Sequence, residues 1–303
     1  MIALRPKART AVIVALVLAV LALLTTVLML VGGPPGPVFL TTVRKSQLVS
    51  AMRVNLHAAV EAEKSAVLAD TDEASQELAD EARRSLAAVD TGLKEHESLI
   101  AQGGGAEEND LFRNFLQSWE VFKQIDAELL PLAVQNTNLK AQRLSFGPAA
   151  RAAERLEAAL TSLVDAQGSC DRGREVARWA FRAAMAAGRI QALQAPHIAE
   201  SRDERMDEIE ATMESCHRQL VEALIRLGEV VDAGSRAELA EARAAADALW
   251  QVNLEIIPLS RQNTNVRSLA LSLGRKRAVT AQCEDLLAAL QEVVDRPTFR
   301  ATR

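Results

Sequence analysis

One ten-residue element occurs twice in the sequence and decides how the chain is organised. The first copy, Leu129–Asn138, reads LLPLAVQNTN, and the second copy, Ile256–Asn265, reads IIPLSRQNTN. The two copies begin 127 residues apart. The flanking residues match at the same offset, because Phe122–Asp126 aligns with Leu249–Asn253. Similarity along the chain at one fixed offset indicates a duplicated module, so we expect two copies of one helical unit.

Apolar residues recur at intervals of three and four residues in both copies. In the first copy, Val49, Met52 and Leu56 begin one such stripe, and Phe112 and Phe115 begin another. This spacing places the apolar side chains on one face of a helix. Hydrophobic residues make up 49% of the 303 residues but aromatic residues only 3%, a balance that favours helices over strands. We therefore predict an all-α protein.

Turn-forming residues divide each copy into four helices. In the first copy the predicted breaks are Asp70–Asp72, Gly103–Gly105 and Phe146–Pro148. At the last of these, glycine is expected to end the third helix and proline to begin the fourth. Four amphipathic helices joined by short loops bury their apolar faces in an antiparallel bundle. We predict two tandem antiparallel four-helix bundles, over residues 44–168 and 169–295.

The N-terminal part of the chain carries a membrane signal. Residues 11–31 contain no charged side chain, and as a helix they span about 31 Å, the thickness of the hydrocarbon core. Arg5, Lys7 and Arg9 precede this run, so the positive-inside rule leaves the N-terminus in the cytoplasm. A cleaved signal peptide is the alternative, but no small-x-small cleavage site follows the run. The predicted segments are a cytoplasmic N-terminus at 1–9, a transmembrane signal anchor at 10–31, a linker at 32–43 and a tail at 296–303. Both bundles would then lie in the periplasm or outside the cell, held by one span in the cytoplasmic membrane.

Each copy resembles the extracytoplasmic four-helix-bundle sensory domain of methyl-accepting chemotaxis proteins. The resemblance rests on LAVQNTNLKAQRLSFGPAARAAERLEAAL at residues 132–160 and RQNTNVRSLALSLGRKRAVTAQCEDLLAAL at residues 261–290. Both stretches look like the segment that joins the third and fourth helices of that domain. The resemblance implies a non-enzymatic sensory module that binds a small ligand or a partner protein and forms a homodimer through its first helix. The family also has a second membrane helix and a cytoplasmic signalling domain. We expect neither in this sequence, so either a separate signalling protein is the partner that produces the output, or the chain is a truncated or repurposed relative of the family.

The repeated element is the first candidate for a ligand-binding site. Pro131 and Pro258 lie inside helical patterns, where proline leaves the carbonyl four residues earlier without its usual partner. Amide side chains one turn later could line a polar cavity near each kink. These candidates are Gln135, Asn136, Asn138, Gln262, Asn263 and Asn265. The alternative is that one asparagine per copy faces the core and fixes helix register, while the other amides are solvated.

Two arginines form a second candidate site. Arg182 and Arg189 are seven residues apart on the first helix of the second copy, and so lie on one helix face. Guanidinium groups grip carboxylates through paired hydrogen bonds, so this face could hold an anionic ligand. The alternative is a solvated or salt-bridged surface.

Catalytic, metal and nucleic-acid chemistry have little support in the sequence. Glu214 and His217 form a single Glu-x-x-His pair, whereas a di-iron bundle needs two such pairs and two further glutamates. Met213–His217 lacks the first cysteine of a haem-attachment site. No phosphate-binding loop or nucleophile motif is present, and the net charge of −5 comes with no basic stripe. We therefore predict no catalytic residue, no metal, no cofactor and no nucleic-acid partner.

The cysteines and tryptophans are interpreted as packing residues. Cys170, Cys216 and Cys283 are too few and too far apart for a disulfide framework, and we expect buried free thiols. A single Cys170–Cys216 or Cys216–Cys283 bridge, in an oxidising compartment, is the alternative. The tryptophans, expected in cores or interfaces, are Trp119, Trp179 and Trp250. The main functional alternative to a sensor is a structural envelope scaffold without a small-molecule ligand.

Overall fold

The computed structural model describes residues 37–168 and 170–301, and every regular element in these two ranges is helical. The all-α prediction is therefore confirmed for the described part of the chain. The α-helices are α1 Pro37–Leu68, α2 Asp72–Gly103, α3 Ala106–Ala133, α4 Thr137–Leu144, α5 Ala150–Gln167, α6 Asp171–Ala199, α7 Asp203–Val230, α8 Arg236–Gln262, α9 Thr264–Leu271 and α10 Arg277–Ala301. A 3-10 turn at Ala233–Ser235 precedes α8, and π-helical turns at Ser145–Ala149 and Ser272–Lys276 connect α4 to α5 and α9 to α10.

The transmembrane anchor predicted at residues 10–31 lies outside the described residues. Among the helices within 37–168 and 170–301, none is both long and apolar enough to cross a membrane. Membrane attachment and orientation therefore stay predictions from the sequence.

The first two predicted breaks are confirmed, and local capping explains where α2 begins. The hydroxyl of Thr71 accepts a hydrogen bond from the N–H of Ala74 at 3.1 Å, which satisfies one free donor of the first turn. Asp72 and Glu73 occupy that turn, where negative charge is favoured by the helix dipole. The second break falls in the glycine run, between the end of α2 at Gly103 and the start of α3 at Ala106.

The third predicted break is wrong. The chain does not leave the helix at Phe146–Pro148, because a π-helical turn over Ser145–Ala149 carries it from α4 into α5. The break lies earlier, at Asn136, whose backbone is left-handed with φ 52°. A π-helical turn accommodates the proline without ending the helix, whereas an asparagine in the left-handed region terminates one.

The duplication is also visible in the structure. Asn263, the counterpart of Asn136, has φ 56°, and these are the two non-glycine residues with positive φ in the described ranges. The segments that follow have the same lengths in both copies, with eight residues in α4 and α9 and five in each π-helical turn. The second π-helical turn contains no proline, so the turn does not depend on Pro148.

The described residues divide into two compact units that each draw on both copies. Unit 1 contains residues 37–56, 87–117 and 282–301. Its core side chains come from α1, α2 and α3 of the first copy and from α10 of the second copy. Those buried below 8% exposure include Val49, Met52, Leu56, Val89, Leu93, Phe112, Phe115, Leu287 and Leu290. The Gln291 amide of α10 donates to Ser46 of α1 at 2.8 Å.

Unit 2 contains residues 57–86 and 118–281, apart from 169. Within it, α5 from the first copy packs against α6 and α8 from the second copy, and α6 packs against α7. The core of this bundle is rich in alanine, which permits close helix contact; Ala159, Ala183, Ala242 and Ala245 are all buried. The fourth helix of each copy, α5 in the first and α10 in the second, thus packs with helices of the other copy. The predicted limits 44–168 and 169–295 describe the repeat and are not the limits of the compact units.

Candidate functional site

The two QNTN motifs meet in unit 2 and bind each other. The backbone N–H of Thr137 donates to the hydroxyl of Thr264 at 3.1 Å, and the N–H of Thr264 donates to the hydroxyl of Thr137 at 3.2 Å. In the same way, the N–H of Asn138 donates to the side chain of Asn265, and the N–H of Asn265 to the side chain of Asn138, both at 3.1 Å. Thr137 and Asn138 therefore each pair with their own counterpart in the second copy, as expected for two copies related by a pseudo-two-fold axis.

The asparagine amides also hold nearby loops. Asn136 donates to the Ser75 hydroxyl at 2.9 Å, close to the loop between α1 and α2. Asn263 donates to the carbonyl of Glu200 at 2.6 Å, in the loop between α6 and α7. Asn138 donates to the carbonyl of Ile198 at 2.7 Å and to the side chain of Asn263 at 2.8 Å. Buried amides with protein partners fix geometry, and this network uses the groups that a ligand would otherwise contact.

The six predicted amide positions therefore divide into two kinds. Asn136, Asn138 and Asn263 are buried, and Asn265 is partly buried. Gln135 and Gln262 are exposed. The side chain of Gln135 donates to the carbonyl of Pro131 at 3.0 Å, one turn back along the chain.

The second candidate, Arg182 and Arg189, lies along a groove in unit 2. Both side chains are exposed on α6, and they line a partly open groove of about 440 Å³ between α6 and α7. This volume falls within the range of small-molecule sites. The wall formed by α6 also contains Trp179, Phe181, Met185 and Ala186, and the wall formed by α7 contains Cys216, Gln219 and Glu222. The structure thus brings together two arginines, apolar surface and one carboxylate.

Trp179 forms the aromatic part of the groove. Its ring lies 5.0 Å from the guanidinium carbon of Arg182, 5.3 Å from that of Arg178 and 6.0 Å from that of Arg226. Cations are attracted to the face of an indole ring at such distances. The stacking holds the Arg182 side chain along the groove wall.

The other tryptophans and the cysteines behave differently from one another. Trp119 is buried and stacks on Phe122 at 4.9 Å, as predicted for a core residue. Trp250 stacks on His217 at 4.0 Å, and burial lowers the pKa of His217 although Asp247 opposes this. Cys216 and Cys283 are buried and form no disulfide, as predicted, whereas Cys170 is exposed. Cys170 caps the start of α6, where its sulfur accepts from the N–H of Gly173 at 3.4 Å.

An ion-pair network extends along one side of unit 2. The ring nitrogen Nε2 of His197 lies 2.7 Å from a carboxylate oxygen of Glu210, and the same oxygen accepts from Nε of Arg261 at 2.7 Å. Arg261 also pairs with Asp207. Burial raises the pKa of Glu210, but the hydrogen bonds from Arg261 and His197 outweigh it and lower the pKa overall. The carboxylate is therefore ionised and bound by Arg261 and His197, which indicates a structural contact.

Two buried ionic clusters were missed by the sequence analysis. In unit 1, Lys45 pairs with Glu108 at 2.9 Å. In unit 2, Lys276 pairs with Asp126 beside Glu63. A signal for them exists in the sequence, because three of these residues continue predicted apolar stripes at the next helical position. Lys45 precedes Val49 by four residues, Glu63 follows Val60 by three, and Asp126 follows Phe122 by four.

Within the described residues, no group of three or more histidine, cysteine or acidic side chains is arranged to hold a metal ion.

The described ranges 37–168 and 170–301 thus form helical units, one of which contains a groove between α6 and α7. Residues 45–169 match the family described as "Four helix bundle sensory module for signal transduction". This match confirms, for the first copy, the resemblance to the four-helix-bundle sensory domain of methyl-accepting chemotaxis proteins.

The fold is also similar to that of a solved sensor domain. The sensor domain of the histidine kinase TorS from V. parahaemolyticus superimposes with a TM-score of 0.54 at 12% sequence identity. The match covers 84% of this chain and 99% of that domain. At this identity the likeness shows the fold alone. No curated protein matches the sequence.

Proposed function

We propose that this chain is a membrane-anchored, extracytoplasmic sensory module that binds a small ligand or a partner protein and catalyses no reaction. The matched sensory family over residues 45–169 and the TorS-like fold support a sensory role. The uncharged run at 11–31, preceded by Arg5, Lys7 and Arg9, supports an anchor with the bundles outside the cytoplasm.

The groove between α6 and α7 is the observation that carries the binding part of the proposal. Arg182 and Arg189 face it, and neither has an ion-pair partner among the described residues. Two guanidiniums without a carboxylate partner, beside Trp179 and Met185, suit an organic anion with an apolar body. In this proposal the four asparagines of the QNTN motifs join the two copies, and Gln135 and Gln262 stay solvated.

The proposal includes two protein contacts. A homodimer through the first helix and a separate signalling protein are both expected for a sensory module of this family. α1 offers an exposed face for the first contact, because Leu40 and Val54 are 55% and 67% exposed. Sedimentation of the purified chain, with Val54→Asp as the variant, tests the dimer. A wild-type monomer at all concentrations would contradict it.

A thermal-shift screen of the full-length chain tests ligand binding. Organic acids, phosphorylated compounds, amino acids and amines are the probes, because a ligand that binds only the folded state raises the midpoint of unfolding. A shift with an organic anion that disappears in Arg182→Gln and Arg189→Gln, and persists in the exposed control Arg277→Gln, supports the groove. A shift that survives both groove substitutions places the site elsewhere.

The scaffold alternative has one observation in its favour, the internal engagement of the QNTN amides. No shift with any probe, together with a stable complex with an envelope component, would favour it.

Reporter fusions at residue 303, one active only in the cytoplasm and one only outside it, test the predicted orientation.

A further inference from the structure

The core of unit 2 contains three ionisable side chains in mutual proximity. Glu63 of α1, Asp126 of α3 and Lys276 at the end of the second π-helical turn have exposed fractions of 1%, 3% and 2%. Lys276 forms an ion pair with Asp126, and its ammonium nitrogen lies 3.2 Å from the centre of the Phe122 ring. The cluster is therefore closed to solvent, with an aromatic ring beside its one cation.

The charges of this cluster do not balance when every group is ionised. Two carboxylates face one ammonium, and an uncompensated charge in a protein core is costly. Asp126 has the ion pair with Lys276. Neither oxygen of Glu63 has a hydrogen bond of normal geometry, although the Ser272 hydroxyl lies close enough to influence it. Glu63 is thus the carboxyl group of this cluster that lacks a compensating partner.

The counterpart of this cluster in the other copy is neutral. At the offset of 127 residues, Asp126 corresponds to Asn253, Lys276 to Ala149 and Glu63 to Ile190. There, the amide of Gln194 donates to Asn253 at 3.1 Å, and its oxygen accepts from the Ser145 hydroxyl at 2.8 Å. The same helical positions therefore fold without any charge, so the three ionisable groups are not a requirement of the packing.

We propose that Glu63 is a proton-binding site in the core of unit 2, and that release of its proton loosens the helices around it. The sensory module then has an input of its own, a rise in pH. This inference concerns the core and does not depend on a ligand in the groove between α6 and α7.

The charged surroundings of Glu63 agree with a bound proton. Burial raises the pKa of Glu63, and the charge of Asp126 adds to the rise, whereas Ser272, Lys276 and Lys64 oppose it. Burial also raises the pKa of Asp126 against the influence of Lys276. α2 contributes Ala79 and Ala82 to the neighbouring core.

The sign of the pH dependence follows from these directions. Below the ordinary carboxyl pKa of 4.5, Glu63 is protonated in both the folded and the unfolded chain. Above it, the unfolded chain has lost the proton while the folded chain retains it. Stability is therefore fully present at low pH and is lost as pH rises through the folded pKa, with the unfolding constant increasing by about tenfold per pH unit for one proton.

Hydrogen exchange between pH 5 and 9, followed by mass spectrometry and corrected for the intrinsic rate, tests the proposal on the full-length chain. Exchange at residues 57–68 and 272–281 should rise with pH in the wild type, and the rise should disappear in Glu63→Gln. The matched control is Glu61→Gln, an exposed residue of the same helix, and it should behave as the wild type does. Equal pH dependence in the wild type and Glu63→Gln overturns the proposal.

Infrared spectroscopy gives a readout that does not depend on Glu63→Gln folding. The wild type at pH 7 should show the carbonyl band of a protonated carboxyl group. In Asp126→Asn, Lys276 loses its ion pair with Asp126 and can pair with Glu63 instead, so Glu63 should ionise and the band should vanish. A wild type without this band at pH 7, or a band that persists in Asp126→Asn with unchanged intensity, contradicts the assignment.

Discussion

The hydroxyl oxygens of Thr137 and Thr264 lie 3.1 Å apart, and each also accepts the backbone N–H of the other residue. Both side chains are buried, so this reciprocal pair joins the first and second copies inside unit 2. A lost hydroxyl leaves a buried N–H without an acceptor, which costs about 1–3 kcal/mol.

Substitution of either threonine should therefore weaken the junction of the two copies. We expect Thr137→Val and Thr264→Val each to lower the free energy of unfolding by about 1–3 kcal/mol, measured by urea denaturation. The double variant should lose less than the sum, because the two residues share one interaction. Thr91→Val is the control, since its exposed hydroxyl only donates to the carbonyl of Ala87. Additive losses would show that the two residues do not interact.

The left-handed backbone of Asn136 gives a second prediction. Asn136→Gly keeps the backbone conformation accessible but removes the hydrogen bond to Ser75, whereas Asn136→Ala also introduces steric strain at φ 52°. We expect the alanine variant to be less stable than the glycine variant by about 1 kcal/mol in urea denaturation. The same order should hold at Asn263, where φ is 56°. An alanine variant as stable as the glycine variant would mean that the break is not fixed by this residue.

The sequence predicted the helices and the repeat, but it could not predict how the copies combine. Periodicity reports which face of a helix is buried, and Val49, Met52 and Leu56 are indeed buried. It does not report which helix covers that face. The apolar stripe of α10 could pack on α1 of the first copy as well as on the helices of its own copy. The exchange of fourth helices between the copies is therefore decided by tertiary packing alone.

The candidate sites were predictable to different degrees. The repetition of QNTN marked a special element, yet its amides could equally have lined a cavity or joined two copies, and only the partners of Asn136 and Asn138 distinguish these uses. Arg182 and Arg189 were placed on one helix face by their spacing, but the opposite wall of the groove comes from α7. Contacts between distant segments lie beyond what local spacing can show.

His96 of unit 1 predicts a loss of stability in acid. Its side chain is fully buried, and burial together with the nearby charge of Lys45 lowers its pKa from 6.5 to about 4. Glu108 lies 3.6 Å from Nε2 but is already engaged by Lys45. Between these two pKa values the unfolded chain binds a proton that the folded chain does not, so stability is lost as pH falls from 6.5 towards 4.

At pH 5 this linkage should cost about 2 kcal/mol relative to pH 7.5. Urea denaturation across pH 4.5–7.5, compared between the wild type and His96→Gln, measures it, and the variant should lose most of this dependence. His57→Gln, at an exposed position of α1, is the control and should keep the wild-type profile. If His96→Gln retains the full acid dependence, another group is responsible.

The buried ion pair of unit 1 gives the last prediction, because an exposed pair stands beside it on the same helix. Lys45 and Glu108 have side chains only 7% and 8% exposed, at 2.9 Å, whereas the neighbouring pair Arg44 and Glu95 is 50% and 41% exposed. Removal of one partner from a buried pair leaves an uncompensated charge and costs about 3–5 kcal/mol, while replacement of both by apolar side chains is close to neutral. We therefore expect Lys45→Met and Glu108→Leu each to be strongly destabilising in urea denaturation, and the double variant to be more stable than either.

The exposed control pair, Arg44 and Glu95, should tolerate the removal of either partner. Arg44→Met and Glu95→Leu should each have only a small effect on stability, since water screens an exposed pair and solvates the partner that remains. The comparison separates burial from ion pairing, because both pairs connect α1 to a neighbouring helix of unit 1 and differ mainly in their access to solvent. Similar losses for Lys45→Met and Arg44→Met would show that water reaches the Lys45–Glu108 pair. A double variant of Lys45 and Glu108 less stable than both single variants would show that the pair itself stabilises the bundle.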